Sequence, residues 1–149
     1  MKPVRTWIMI ANGARARIVA NAGPGHGVTA LEGMEFEDES LKTSEIVTDR
    51  PGRTHDSTGP GRHALSQGTD PHRERERAFA KTLASMLDAH CSKNSYDRLI
   101  LTAAPQTLGD LRDALSSPVK AKVFAEKAKD LTQIPNSCLP AHLADISVL

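Results

Sequence analysis

Two short segments are apolar on both faces that a β-strand would present, and they constrain the fold more than any other feature of the chain. Thr6–Ala11 contains Trp-Ile-Met-Ile, and Arg98–Ala103 carries Leu-Ile-Leu at its centre. A strand of this kind has to be covered on both sides, as the central strands of α/β sheets are. We therefore expect both segments to lie in the middle of a sheet.

Two further strands are predicted beside the first. Asn12-Gly13 indicates a two-residue hairpin, because both residues tolerate a positive φ. The return strand, Arg15–Asn21, alternates between two faces, and a third strand is expected over residues 28–37. On that third strand one apolar face is predicted to carry Val28, Ala30, Met34 and Phe36.

Helical patterns alternate with strands in the second half of the chain. Asp70-Pro71 is typical of an N-cap followed by proline at the first helical position, and that helix is expected to reach about His90. A second helix should start at Pro105, and residues 122–127 alternate like an edge strand. The tail, residues 134–149, is predicted to be a third helix whose inward residues are Leu139, Leu143 and Ile146.

This order of elements predicts one α/β domain over residues 1–149 with a mixed five-stranded sheet. The first and fourth strands should lie side by side and parallel. The antiparallel strands then occupy one edge and the fifth strand the other, with helices covering the sheet. This is the ribonuclease H-like arrangement.

The middle of the chain has almost no apolar side chains. From Thr48 to Arg77 only Ala64 and Leu65 belong to the apolar set. Such a stretch cannot contribute to a core, so a long polar loop is expected over about residues 48–72. Long loops inside compact domains are uncommon and are usually either functional or disordered.

Several strings along the chain resemble the bacterial family called "protein required for attachment to host cells". The matching strings lie at residues 7–17, 49–53, 79–84, 96–99, 103–112 and 129–132. The name of this family describes a phenotype and not a chemistry. The family is similar in topology to the middle domain of archaeo-eukaryotic peptide release factors, which carries a long glycine-rich loop between its third strand and first helix.

The release-factor likeness implies a link to translation but does not extend to its catalytic tripeptide. Release factors place Gly-Gly-Gln in that loop to hydrolyse peptidyl-tRNA. Here Gln67 is followed, and not preceded, by glycine. We therefore expect a non-enzymatic binding domain that contacts RNA or the translation machinery.

The candidate phosphate-binding or RNA-binding residues are arginines. Guanidinium groups bind phosphate bidentately, and neighbouring glycines let the backbone approach a phosphate chain. The candidates in and beside the polar loop and on the second strand are Arg50, Arg53, Arg62, Arg73, Arg15 and Arg17. Nineteen basic against eighteen acidic residues leave a net charge of +1, so any such affinity should be modest and salt-sensitive.

Two alternatives remain open. One is a hydrolase of a phosphoester or tRNA-ester bond that uses a loop cluster of His55, His63, His72 and Gln67. The other is a regulatory domain that contacts another protein and affects attachment indirectly. No metal or cofactor is expected, because the histidine spacings fit no regular ligand pattern. The chain has no apolar run long enough to span a membrane, and its two cysteines form no disulfide framework. We therefore expect a cytoplasmic protein without a membrane partner.

Overall fold

The structure is a computed structural model that describes residues 3–38 and 70–149. Its regular elements begin with three strands and continue with helices and strands in turn. They are β1 (Thr6–Ala11), β2 (Arg15–Asn21), β3 (Thr29–Glu37), α1 (Pro71–Ser92), β4 (Arg98–Ala103), α2 (Pro105–Ala114), α3 (Ser117–Lys122), β5 (Val123–Ala128), a 3-10 turn (Asn136–Cys138) and α4 (Leu139–His142). The predicted polar loop falls mostly on residues 39–69, which lie outside the described residues.

The five strands form one mixed sheet in the order β3-β2-β1-β4-β5. β1 and β4 are parallel neighbours at its centre, and β5 is parallel to β4 at one edge. β2 and β3 continue antiparallel to the other edge. All six residues of β1 are buried, as its apolar faces require. The predicted α/β class, strand order and central pair are confirmed.

Each face of the sheet has its own hydrophobic cluster. On one face α1 and α2 pack against alternate residues of β1 and β4, with Met9, Leu83 and Leu101 fully buried. On the other face the cover comes from the last nineteen residues of the chain, 131–149. Their buried leucines pack against Ile8, Ile10 and Ile100, and they are Leu131, Leu139, Leu143 and Leu149.

The turn after β1 differs from the predicted hairpin. Neither Asn12 nor Gly13 has a positive φ. Instead the Asn12 side-chain oxygen accepts hydrogen bonds from the backbone N–H groups of Ala14 and Arg15, both at 2.9 Å. This local side-chain bond replaces the backbone geometry that Asn-Gly was expected to supply.

The prediction that β3 has a single apolar face is wrong. Phe36 pairs with Ala16 and Ala30 pairs with Val19, although Ala16 and Val19 point to opposite faces of β2. The register shifts between these pairs, and Gly33 lies there with a φ of 76°. A shift of an odd number of residues moves the remaining side chains to the other face.

The chain after α2 also departs from the prediction. Residues 117–122 form a short helix that the pattern did not indicate, and β5 therefore begins at Val123, one residue later than predicted. The tail is not one helix. Pro135 is extended and Pro140 has no N–H for a preceding turn, so only a 3-10 turn and the four-residue α4 form there.

Candidate functional site at the carboxyl edge of the sheet

The carboxyl ends of the two central strands meet at one edge of the sheet. The N–H of Ala104, just after β4, donates to the carbonyl of Ala11 at the end of β1 over 3.2 Å. Open α/β sheets bind ligands outside the carboxyl ends of their parallel strands. A ligand site is therefore expected at this edge.

A cleft of about 320 Å³ opens there between the turn after β1 and the first turns of α1 and α2. Gly13 contributes from the turn, His72 from α1, and Gln106 and Thr107 from α2. Asp38, the last described residue before 39–69, borders the same cleft. Its N–H donates to the carbonyl oxygen of Ala14 in the turn between β1 and β2.

A charge network fixes the wall that α1 contributes. The Arg73 guanidinium binds both oxygens of Asp110 on α2, at 2.9 and 3.0 Å, and Glu76 one turn along α1 at 2.7 Å. These hydrogen bonds raise the pKa of Arg73, and those to Asp110 contribute most. Glu76 also lies 3.5 Å from the His72 imidazole. A Cβ on Gly13 would come within 2.8 Å of Glu76 Cγ, so a larger residue there would displace the Glu76 side chain.

A second polar cluster anchors the turn after β1 to the chain after β5. The Asn12 amide donates to Asp130 at 3.1 Å and to Thr132 at 3.2 Å. The Thr132 N–H and hydroxyl both donate to Asp130, at 2.9 and 2.6 Å. Burial raises the pKa of Asp130, but the bonds from Thr132 and Asn12 outweigh it, so the pKa lies below its ordinary value.

Most of the predicted site residues lie outside the described residues. These are Arg50, Arg53 and Arg62 of the arginine set and His55, His63 and Gln67 of the loop cluster. The roles predicted for them stay predictions. Four predicted residues are described: Arg15, Arg17, Arg73 and His72.

Arg17 holds the C-terminal cover against the sheet. Its guanidinium donates to Asn136 Oδ1 at 2.9 Å, to the Thr132 carbonyl at 3.0 Å and to the Ile134 carbonyl. Burial lowers the pKa of Arg17, although the nearby Glu35 carboxylate opposes this. All three of its donor nitrogens are therefore committed to the protein itself.

The other described candidates are also engaged, to different extents. Arg73 is held by two carboxylates, and a phosphate would have to displace them. Arg15 lies 3.5 Å from Glu37 and is largely exposed. His72 is exposed at the mouth of the cleft and lies 3.4 Å from a guanidinium nitrogen of Arg75. The structure thus brings His72 to the cleft, engages Arg73 with Asp110 and Glu76 outside its lining, and places Arg15 and Arg17 on β2.

Of the described residues that line the cleft, only His72 was among the predicted site residues. Arg75 borders it from α1, and Gln106 and Thr107 border it from the first turn of α2. A signal for the latter two was present: a buried strand followed at once by a helix that starts with Pro105 and has no capping side chain before it.

Metal-binding clusters and membrane-spanning helices are both absent from the described ranges. In residues 3–38 and 70–149 no group of three histidine, cysteine or acidic side chains is arranged to hold a metal ion. None of the helices in those ranges has the length and apolar character needed to cross a bilayer.

The fold and the cleft at the carboxyl edge of the sheet together define an α/β protein whose polar cleft lies where the two central parallel strands end. A family model described as "Protein required for attachment to host cells" matches residues 7–143. The chain belongs to this host-attachment family, as the matching strings along the sequence predicted. A comparison with curated proteins finds no match.

Proposed function

We propose that this member of the host-attachment family is a cytoplasmic, non-enzymatic binding domain that contacts RNA through the arginines of residues 48–72. The observation that carries the proposal is where that segment joins the described fold. Asp38 precedes residues 39–69, His72 follows them closely, and both border the cleft at the carboxyl edge. An arginine-rich and glycine-rich insertion is thus attached where α/β sheets present ligand-binding loops.

The contacts of the described arginines narrow the set that is available to RNA. Arg17 and Arg73 are occupied within the protein. Arg15 is largely exposed and stays a candidate, and the proposal rests chiefly on Arg50, Arg53 and Arg62, which lie in the segment itself. A guanidinium group binds a phosphate through two parallel hydrogen bonds, so three of them suffice for modest, salt-dependent binding.

The proposed link to translation rests on topology. The insertion lies between β3 and α1, and this is the position of the long loop in the ribonuclease H-like domain of the release factors that the chain resembles. Because the Gly-Gly-Gln tripeptide is missing from this sequence, we propose contact with RNA and not hydrolysis of an ester bond.

The test is salt-dependent retention on immobilised single-stranded RNA. One variant replaces Arg50, Arg53 and Arg62 by glutamine. The matched control replaces three exposed lysines by glutamine: Lys81, Lys93 and Lys120. None of their side chains has a partner among the described residues. Both variants lower the net charge by three, so a difference between them reports on position and not on total charge.

Three lost phosphate contacts on a single strand reduce the slope of log Kobs against log salt by about 2. We expect this for the arginine variant and a much smaller change for the lysine variant. Equal retention of the parent and the arginine variant would refute the proposal. Equal loss in both variants would refute it too, because binding would then depend on net charge alone.

A further inference from the structure

The first turn of α2 presents backbone N–H groups that have no hydrogen-bond acceptor among the described residues. Ala104 occupies the N-cap position and offers no capping side chain. Pro105 has no N–H, and Leu108 bonds back to Ala104, which leaves the N–H groups of Gln106 and Thr107. At α1, by contrast, the Asp70 side chain accepts from the N–H of the second helical residue.

A buried side chain with an unmatched hydroxyl lies beside these two donors. Thr107 is only 4% exposed, it lines the carboxyl-edge cleft, and its hydroxyl makes no hydrogen bond within residues 3–38 and 70–149. No fully enclosed side-chain polar atom of these ranges lacks a partner, so this hydroxyl keeps a small exposed surface on a residue that lines the cleft. Polar groups on side chains this deeply buried are normally satisfied. The unmatched hydroxyl is therefore available to donate a hydrogen bond to a ligand group in the cleft or to accept one from it.

The charges around the cleft determine which ligand group fits. Arg75 borders it, and within the described chain its guanidinium group contacts only the His72 ring, at 3.4 Å. Glu76 also lines the cleft and shares the single Arg73 guanidinium with Asp110, so its charge is only partly matched. Asp38 borders the cleft as well and limits the affinity for an anion. The donors all favour an acceptor-rich group with negative charge.

We propose that this cleft binds a phosphate group, free or as the terminal phosphate of a nucleotide. The phosphate oxygens accept from the N–H groups of Gln106 and Thr107 and from the Thr107 hydroxyl, and Arg75 supplies the positive charge. A volume of about 320 Å³ leaves room for part of the group that carries the phosphate. This site uses none of the arginines on which the proposed RNA contact depends.

The experiment is a titration of the full-length 15N-labelled chain with inorganic phosphate and with AMP, at constant pH and ionic strength. The amide signals of Gln106 and Thr107 should move most and should saturate. Thr107→Val keeps the shape of the side chain and should weaken phosphate binding about tenfold, the effect expected for one hydrogen bond to a charged group. Thr107→Ser keeps the hydroxyl and should bind within about twofold of the parent.

Matched controls separate a site from general attraction. Arg75→Gln should weaken binding, whereas Arg77→Gln, at an exposed position of the same helix, should not. Saturation by both probes, tighter for AMP, would assign the site to a nucleotide; saturation by phosphate alone would assign it to the free ion. Shifts that are spread over the surface and unchanged in Thr107→Val would overturn the proposal, as would equal losses in the Val and Ser variants.

The RNA proposal and the phosphate proposal can be refuted independently of each other. Loss of RNA retention in the variant lacking Arg50, Arg53 and Arg62, with the phosphate-induced shifts intact, would support the cleft as an independent site. If that variant also lost the shifts at Gln106 and Thr107, the independent cleft would be refuted.

Discussion

Replacing Arg17 by methionine is expected to loosen the C-terminal cover of the sheet. The guanidinium group makes three hydrogen bonds to residues 132–136, which lie directly before the buried leucines of the tail. Methionine keeps much of the apolar stem but has no donor. The three acceptors would then have to find water at a half-buried position.

The size of this effect follows from the number and kind of these bonds. A hydrogen bond from a charged donor contributes about 1.5–3 kcal/mol to stability. The acceptors next to Arg17 are partly open to solvent and recover some of this, so we expect a total loss of about 3 kcal/mol. For a chain of this size that corresponds to a fall in Tm of about 6–12 °C.

The assay is urea unfolding followed by the fluorescence of Trp7, the single tryptophan of the chain, which is 7% exposed. Arg15→Met is the matched control, because Arg15 lies on the same face of β2 and its only pair within residues 3–38 and 70–149 is an exposed one with Glu37. Its loss should stay within about 0.5 kcal/mol. Equal midpoints for the two variants would refute the structural role of Arg17. A stable Arg17→Met protein that no longer bound RNA would place Arg17 among the phosphate ligands instead.

Three further predictions concern stability. Asp97→Asn should lower the urea midpoint at pH 7 and have a much smaller effect near pH 2. The side-chain and backbone bonds from Arg5 lower the pKa of Asp97 from 3.8 to about 2, so the stability from its charge is lost as the pH falls through that range. Gly13→Ala should cost about 1–3 kcal/mol in the same unfolding assay, because the new Cβ displaces Glu76; a variant as stable as the parent would show that Glu76 moves freely. Leu139→Ala should cost about 2–5 kcal/mol by thermal unfolding, since this side chain is fully buried against the sheet.

The sequence was sufficient to predict the sheet, because strands that are covered on both faces differ from strands that alternate. β1, β2 and β4 have the predicted bounds, and the parallel pairing of β1 with β4 follows from their shared apolar character. α1 begins where Asp70-Pro71 indicated, because the cap and the proline act through local bonds. These features depend on near neighbours in the chain, which a single sequence displays.

The errors arose where local patterns give no information about distant partners. An odd register shift at Gly33 divides the apolar residues of β3 between two faces, and the pairing strand that reveals this is not visible in the pattern of β3. The tail failed for a different reason: its prolines were visible in the sequence, but the predicted helix ran through them, although Pro135 is extended and Pro140 has no N–H. The charge of an arginine likewise does not show which carboxylate or carbonyl it contacts.

The contacts of Arg73 illustrate why charge content alone misassigns a binding residue. If a phosphate took this guanidinium, Asp110 and Glu76 would lose their shared partner while remaining within reach of the phosphate charge. Removing one member of a half-buried ion pair leaves the other charge poorly solvated, which costs more than the pair itself contributes. Arg73 is therefore better suited to holding α1 against α2 than to binding a ligand. Because α1 and α2 form two walls of the cleft, this bridge fixes the spacing between the Arg75 guanidinium and the donors of Gln106 and Thr107. A site held in this way loses little conformational entropy on binding, so a small anion can be bound by few contacts.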